Sequence, residues 1–174
     1  KNESFVALAN ELAELALSFT SKDEFLASDF KGISVQDKLI EQTGVIGEKI
    51  EIGGFERLNA PFVGSYIHAG NKIATLVGLS AAVAGAETAA KDVAMQAAAM
   101  NPVALDESSV DQAIIDKEIE IAKDQLRQEG KPEAMLEQIA KGKLNLFFTD
   151  NTLINQDFLK DSKMSVDQYV KSVD

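Results

Sequence analysis

The chain contains no cysteine and only one histidine, His68, among its 174 residues. The first absence excludes disulfides, thiolate metal sites and cysteine nucleophiles, and it is compatible with a reducing compartment. The scarcity of histidine excludes a histidine-based metal cluster and leaves any Ser-His-Asp arrangement dependent on a single ring. Positive charge is also short. Seventeen basic against 28 acidic residues give a net charge of −11, which argues against binding to a phosphate backbone. No apolar run approaches the roughly 20 residues that a membrane helix needs. The nearest, Ile73 to Ala86, is interrupted by Gly78, Ser80 and Gly85. What remains is ordinary globular material, 45% apolar and 26% charged, sufficient for one compact domain or two small subdomains.

The strongest pattern runs from Asp111 to Phe148. Ile115, Ile119, Ala122 and Leu126 step by 4, 3 and 4 along one limb, and Met135, Ile139, Gly142 and Leu146 repeat those steps along the other. Each limb has a narrow apolar seam flanked by charge, which predicts two helices zipped antiparallel. The tip is Glu129-Gly130-Lys131-Pro132: Gly130 suits a left-handed helix end, and Pro132 the first turn of the next helix. Phe147 and Phe148 are expected to anchor the base of this arm.

Elsewhere, Phe5, Leu8, Leu12 and Leu15 predict an amphipathic helix over residues 3–18, and the polar stretch Thr20 to Lys31 reads as irregular. Ser34, with Asp37 three residues on, caps a short helix that Gly44 is expected to end. From Lys49 the period changes to two. Residues 48–58, Phe62 to His68 and Ile73 to Leu79, separated by Asn59-Ala60-Pro61 and Ala69-Gly70-Asn71, predict a three-stranded antiparallel meander covered by helices. Ala84 to Met100 is alanine-rich and helical until Asn101-Pro102. Leu153 to Leu159 reads as extended, and Ser165 caps a last helix containing Val166, Tyr169 and Val170. The predicted class is α+β: residues 1–83 form a subdomain of helices plus meander, and 84–174 a second α+β subdomain with the helical hairpin arm 111–148 inserted. A chain that opens at Lys1 and goes almost directly into helix reads as a piece of something longer.

Little of this points to catalysis. His68 ends a strand at a turn, where the period places its ring at a loop edge, and no motif supplies a nucleophile or an orienting carboxylate. Gly44-Val45-Ile46-Gly47 runs from helix to strand, the reverse of a phosphate loop, so it reads as a helix stop and tight turn, the alternative being an exposed Ile46 that acts as a contact knob. Carboxylate pairs such as Glu118 and Glu120 do not share a helix face. No cofactor and no metal is expected. Three functional readings compete: a partner-binding factor, a structural module that self-associates through meander and arm, and a small hydrolase using His68.

Taken in order, the pieces resemble the bacterial elongation factor Ts family, the nucleotide-exchange factors of the GTPase elongation factor Tu. The resemblance is carried by Thr43-Gly44-Val45-Ile46-Gly47-Glu48 leading into Ile50-Glu51-Ile52, by Gly64-Ser65-Tyr66-Ile67-His68, by Asp92-Val93-Ala94-Met95-Gln96-Ala97-Ala98 before Asn101-Pro102, and by Gly130-Lys131-Pro132 with Gly142-Lys143-Leu144-Asn145-Leu146-Phe147-Phe148. It implies the family's core, or dimerisation, domain and a cytoplasmic, non-enzymatic exchange factor that binds elongation factor Tu and promotes GDP release. Homodimerisation stays open; neither direct nucleic-acid contact nor a membrane is implied. Partner contacts are implied at Ile46, Gly47, Tyr66 and His68. The family's N-terminal helical domain and its Thr-Asp-Phe-Val motif would lie upstream of Lys1, which implies a chain that keeps part of the binding surface without the wedge that expels nucleotide.

Overall fold

The computed structural model describes residues 2–173, and among them seven α-helices and six short strands make an α+β chain. Its contacts gather into two units, Lys1–Arg57 and Leu58–Asp174. The boundary expected after residue 83 therefore falls inside the second unit, because the β-ribbon before it packs on the alanine-rich helix after it.

In the first unit, α1 (Glu3–Ala16) begins where the Asn2 side chain accepts hydrogen bonds from the Ser4 and Phe5 amides. The stretch expected to be irregular is ordered: α2 (Lys22–Ala27), capped by Ser21, is followed by β1 (Asp29–Phe30) and β2 (Ile33–Ser34). Lys31 and Gly32 join the two strands in a turn that needs positive φ at both positions, 54° and 97°. Two aromatic anchors explain the order. Phe25 and Phe30 are buried with Leu12, Val35 and Leu39 in the core of this unit, and full burial of one such side chain stabilises by about 2 kcal/mol. The next helix, α3 (Val35–Ile46), starts at the Ser34 cap as expected, but it continues through Gly44 and ends at Gly47, where φ is 81°.

Residues 49–60 form no strand, so the three-stranded meander is not found; the ribbon that follows has two strands. The alternation in this segment was a signal of burial alone. Ile50, Ile52 and Phe55 pack against the helical core of the first unit, and the Ile50 amide donates to the Thr43 hydroxyl at 2.9 Å in place of a ladder partner.

The second unit opens with β3 (Phe62–Ile67) paired antiparallel to β4 (Ala74–Leu79), with Phe62 opposite Leu79 and Ile67 opposite Ala74. Its partner, α4 (Ala86–Met100), buries Ala86, Ala89, Ala90, Val93, Ala94 and Ala98. Small side chains let the ribbon lie close to the helix. The helix stops at Asn101, which takes a left-handed φ of 45° before Pro102.

On its other side α4 carries buried polar groups. Gln96, 1% exposed, donates to the Asp157 carbonyl at 3.1 Å and accepts from the Leu159 amide at 2.8 Å. Asp92 takes hydrogen bonds from Lys160 at 2.6 Å and from the Tyr169 hydroxyl at 2.7 Å. These bonds hold β5 (Asp157–Phe158), β6 (Asp161–Ser165) and α7 (Val166–Lys171) against the helix, with the Phe158 and Tyr169 rings stacked at 4.1 Å. Ser165 and Gln168 form the capping box of α7.

Between these parts run α5 (Gln112–Gln128) and α6 (Glu133–Asn151), which pack on each other. Gly130 has φ 79° at the turn. On α5 the buried residues are Ala122 and Leu126, both in the expected seam. On α6 the first half of the seam is displaced by one residue, with Leu136 and Ala140 buried in place of Met135 and Ile139. Phe148 is buried at the base, whereas Met135 and Leu146 are 50% and 66% exposed. Lys123 to Glu137 at 2.6 Å and Arg127 to Glu133 at 2.9 Å bridge the two helices. These pairs lie at the exposed edge of the hairpin, where solvent competes with them, and the buried Leu136, Ala140 and Phe148 carry the rotation of α6.

Candidate partner-binding site

Ile46 and Gly47 lie in the first unit and Tyr66 and His68 in the second, so the structure gives two local surfaces.

The first is the end of α3. Because the helix runs past Gly44, the phase of its buried face, Val35 and Leu39, carries forward to Ile46, which is half-buried instead of projecting. The apolar side chains that face outward are Val45, 73% exposed, and Ile40, 61% exposed. Ile40 falls within the helix expected from the sequence, as one of its apolar residues with Val35 and Leu39, and Val45 comes onto the helix only because α3 runs past Gly44. Gly47 is exposed, and its amide donates to the Thr43 carbonyl at 2.9 Å. A residue with a Cβ would be strained there, so the sharp stop requires glycine.

The second surface is the tip of the ribbon. Even-numbered residues of β3 face α4, so Tyr66 is half-buried, and His68 continues that face beyond the strand end. Their rings lie 5.8 Å apart, tilted by 58°. The His68 amide donates to the Ile73 carbonyl at 2.8 Å, its carbonyl accepts from Asn71 at 3.0 Å, and Gly70 and Asn71 close the turn with φ of 83° and 56°. The ring is thus half-buried against Tyr66, not free at a loop edge, and Nδ1 is buried without a hydrogen-bond partner. Ile67, 63% exposed, and Ile73, 46% exposed, flank it on the outward side. Neither was picked out from the sequence, although period two puts Ile67 on the face opposite Tyr66.

Chemically, the end of α3 offers apolar surface and the ribbon tip apolar and aromatic surface, the material of recognition. Among the described residues there is no group of three or more His, Asp or Glu arranged to hold a metal ion, and no helix long and apolar enough to cross a membrane. A clear electrostatic perturbation lies elsewhere, where Asp92 of α4 meets Tyr169 of α7. Burial raises the pKa of Asp92, but hydrogen bonds from Lys160 and Tyr169 and the Lys160 charge outweigh it and hold that carboxyl below its ordinary value. Burial, then the bond to Asp92 and its charge, push the Tyr169 hydroxyl up to about 12.

The fold itself defines the class only as an α+β chain of helices with short antiparallel strand pairs. The sequence comparisons are more specific: the family model described as Elongation factor TS matches residues 1–174, and the chain belongs to that family. The elongation factor Ts of Christiangramia forsetii is 70% identical over 174 residues, 100% of this chain and 64% of its own length. That of Flavobacterium psychrophilum is 69% identical over 173 residues, 99% of this chain and 63% of its own. One from Porphyromonas gingivalis is 40% identical over 173 residues. The chain thus spans slightly less than two thirds of the length of the first two relatives.

Proposed function

We propose that this chain works in translation elongation as part of a cytoplasmic guanine-nucleotide exchange factor, binding elongation factor Tu and favouring GDP release without covalent chemistry. The observation that carries this reading is the family match over residues 1–174. The two turns support it locally, since each offers apolar surface on a rigid support. The contacts fall at the end of α3, on Ile46 and Gly47 with Val45 beside them, and at the ribbon tip, on Tyr66 and His68 with Ile67. No cofactor, nucleic acid or membrane takes part. The α5–α6 pair serves as a helical hairpin arm.

The mechanism is linkage. A factor that binds the nucleotide-free GTPase more tightly than its GDP-bound form lowers GDP affinity by the ratio of those two affinities. The Thr-Asp-Phe-Val motif that the family uses as a wedge does not occur among these 174 residues. The expected behaviour is therefore measurable binding with weak or undetectable acceleration of GDP release.

Fluorescent-GDP release from elongation factor Tu, with size-exclusion chromatography and light scattering on the mixture, tests both parts. Co-elution with slow release supports the proposal. Full-rate stimulation overturns the assignment of the wedge to the absent motif, and a stable homodimer that ignores the GTPase overturns the partner assignment.

A further inference from the structure

The inner face of β3 meets α4 at one point where no side chain fits. A Cβ built on Gly64 would overlap the Cβ of Ala90 and lie 3.0 Å from the Ala90 carbonyl carbon. One α-helical turn along the same face, the Thr75 hydroxyl donates to the Ala94 carbonyl at 2.7 Å. Thr75 is the register partner of Tyr66. The ribbon is therefore seated on α4 at two places, Gly64 on Ala90 and Thr75 on Ala94, next to Tyr66 and just before the His68 turn.

We infer that Gly64 and Thr75 are positioning residues that set the height of the Tyr66–His68 tip over α4 and thereby the affinity for the partner. This rests on the reading of that tip as a contact. Neither residue needs to touch the partner. A methyl group at position 64 must lift the strand, because the obstacle includes helix backbone, which cannot swing aside as a flexible side chain would. The lift is passed to the tip through the ladder, whose register runs unbroken from Phe62 opposite Leu79 to Ile67 opposite Ala74.

The experiment uses the whole chain and the nucleotide-free GTPase. Because His68 is the only histidine, its imidazole gives one pair of NMR signals, a readout of tip position that a purely structural role at Gly64 would leave in place. Gly64→Ala is expected to shift those signals and weaken binding on the order of tenfold, with unchanged helical circular dichroism. The double variant Gly64→Ala with Ala90→Gly is expected to recover part of that affinity despite its lower melting temperature, because the Cβ overlap is gone. Thr75→Val keeps volume and strand propensity while removing the bond to Ala94, and it carries the test if Gly64→Ala fails to fold. Its expected effect is shifted His68 signals and about threefold weaker binding. Unmoved signals and parental affinity in Thr75→Val, or in a folded Gly64→Ala, would overturn the inference. If His68→Ala binds as well as the parent, the contact reading itself falls; if His68→Ala weakens binding and the positioning variants do not, only this inference does.

Discussion

Two helical regions of the second unit solve the problem of fixing a helix in opposite ways. Along α4, eight residues are buried, most of them alanines, and two polar side chains, Asp92 and Gln96, bond specific groups of β5, of the Leu159-Lys160 turn and of α7. In the α5–α6 pair only Ala122, Leu126, Leu136, Ala140 and Phe148 are buried, and the bridges are exposed ions. Where polar bonds are shielded from water, losing one strands its partners. Where they are wet, solvent replaces them at little cost. The first region is specified by chemistry, the second by a thin apolar seam.

That contrast breaks or survives on measurement. Gln96→Ala is expected to have the largest effect, about 4 kcal/mol, from a cavity plus unpaired Asp157 and Leu159 backbone groups. Urea denaturation checks the magnitude, and a loss under 1 kcal/mol would mean that α4 is held by apolar packing alone. Leu136→Ala should cost about 3 kcal/mol, whereas Met135→Ala, one residue away and half exposed, should stay within about 0.5 kcal/mol. Reversal of those two would restore the seam read from spacing.

Asp92→Asn should cost about 2 kcal/mol near neutral pH. Its pH dependence is two-sided. The folded Asp92 pKa lies below its ordinary value, so its contribution is present above the unfolded carboxylate range and fades as acid protonates the folded form. The Tyr169 contribution is complete below about 10 and fades as pH rises through about 12. Melting curves of parent and Asp92→Asn should converge at both extremes; a constant offset would put the effect in packing. The smallest effect is expected for Lys123→Ala and Glu137→Ala, whose double-mutant coupling should vanish in high salt.

How much was legible follows the same division. Features set by neighbours in sequence could be read: the Ser34 and Ser165 caps, the Gly130 turn and the Asn101-Pro102 stop all depend on a few adjacent residues. Features set by distant partners could not. Period two at Ile50 and Ile52 reports burial on one side, which a helical core supplies as well as a sheet does. The rotation of α6 depends on how its side chains fit those of α5 on the far side of the turn, a match that spacing within one helix does not report. At the candidate site, Tyr66 and His68 fall on one face as period two requires, but the half-burial of the His68 ring, which lies against Tyr66, is not encoded by that period. Glycine at position 44 suggests a helix end and an exposed Ile46, whereas the helix runs on through it and leaves Ile46 half-buried.

Left-handed residues bracket α4 at both ends, Gly85 with φ 87° and Asn101 with φ 45°. A helix bounded in this way behaves like a keyed shaft. Its start and end are set by residues outside the helical conformation, and the buried Ala90, Asp92, Ala94 and Gln96 each face a partner at one angular position. Inserting one alanine within it would turn everything downstream by about 100°, carrying Ala94 away from Thr75 and Gln96 away from Leu159 in a single step.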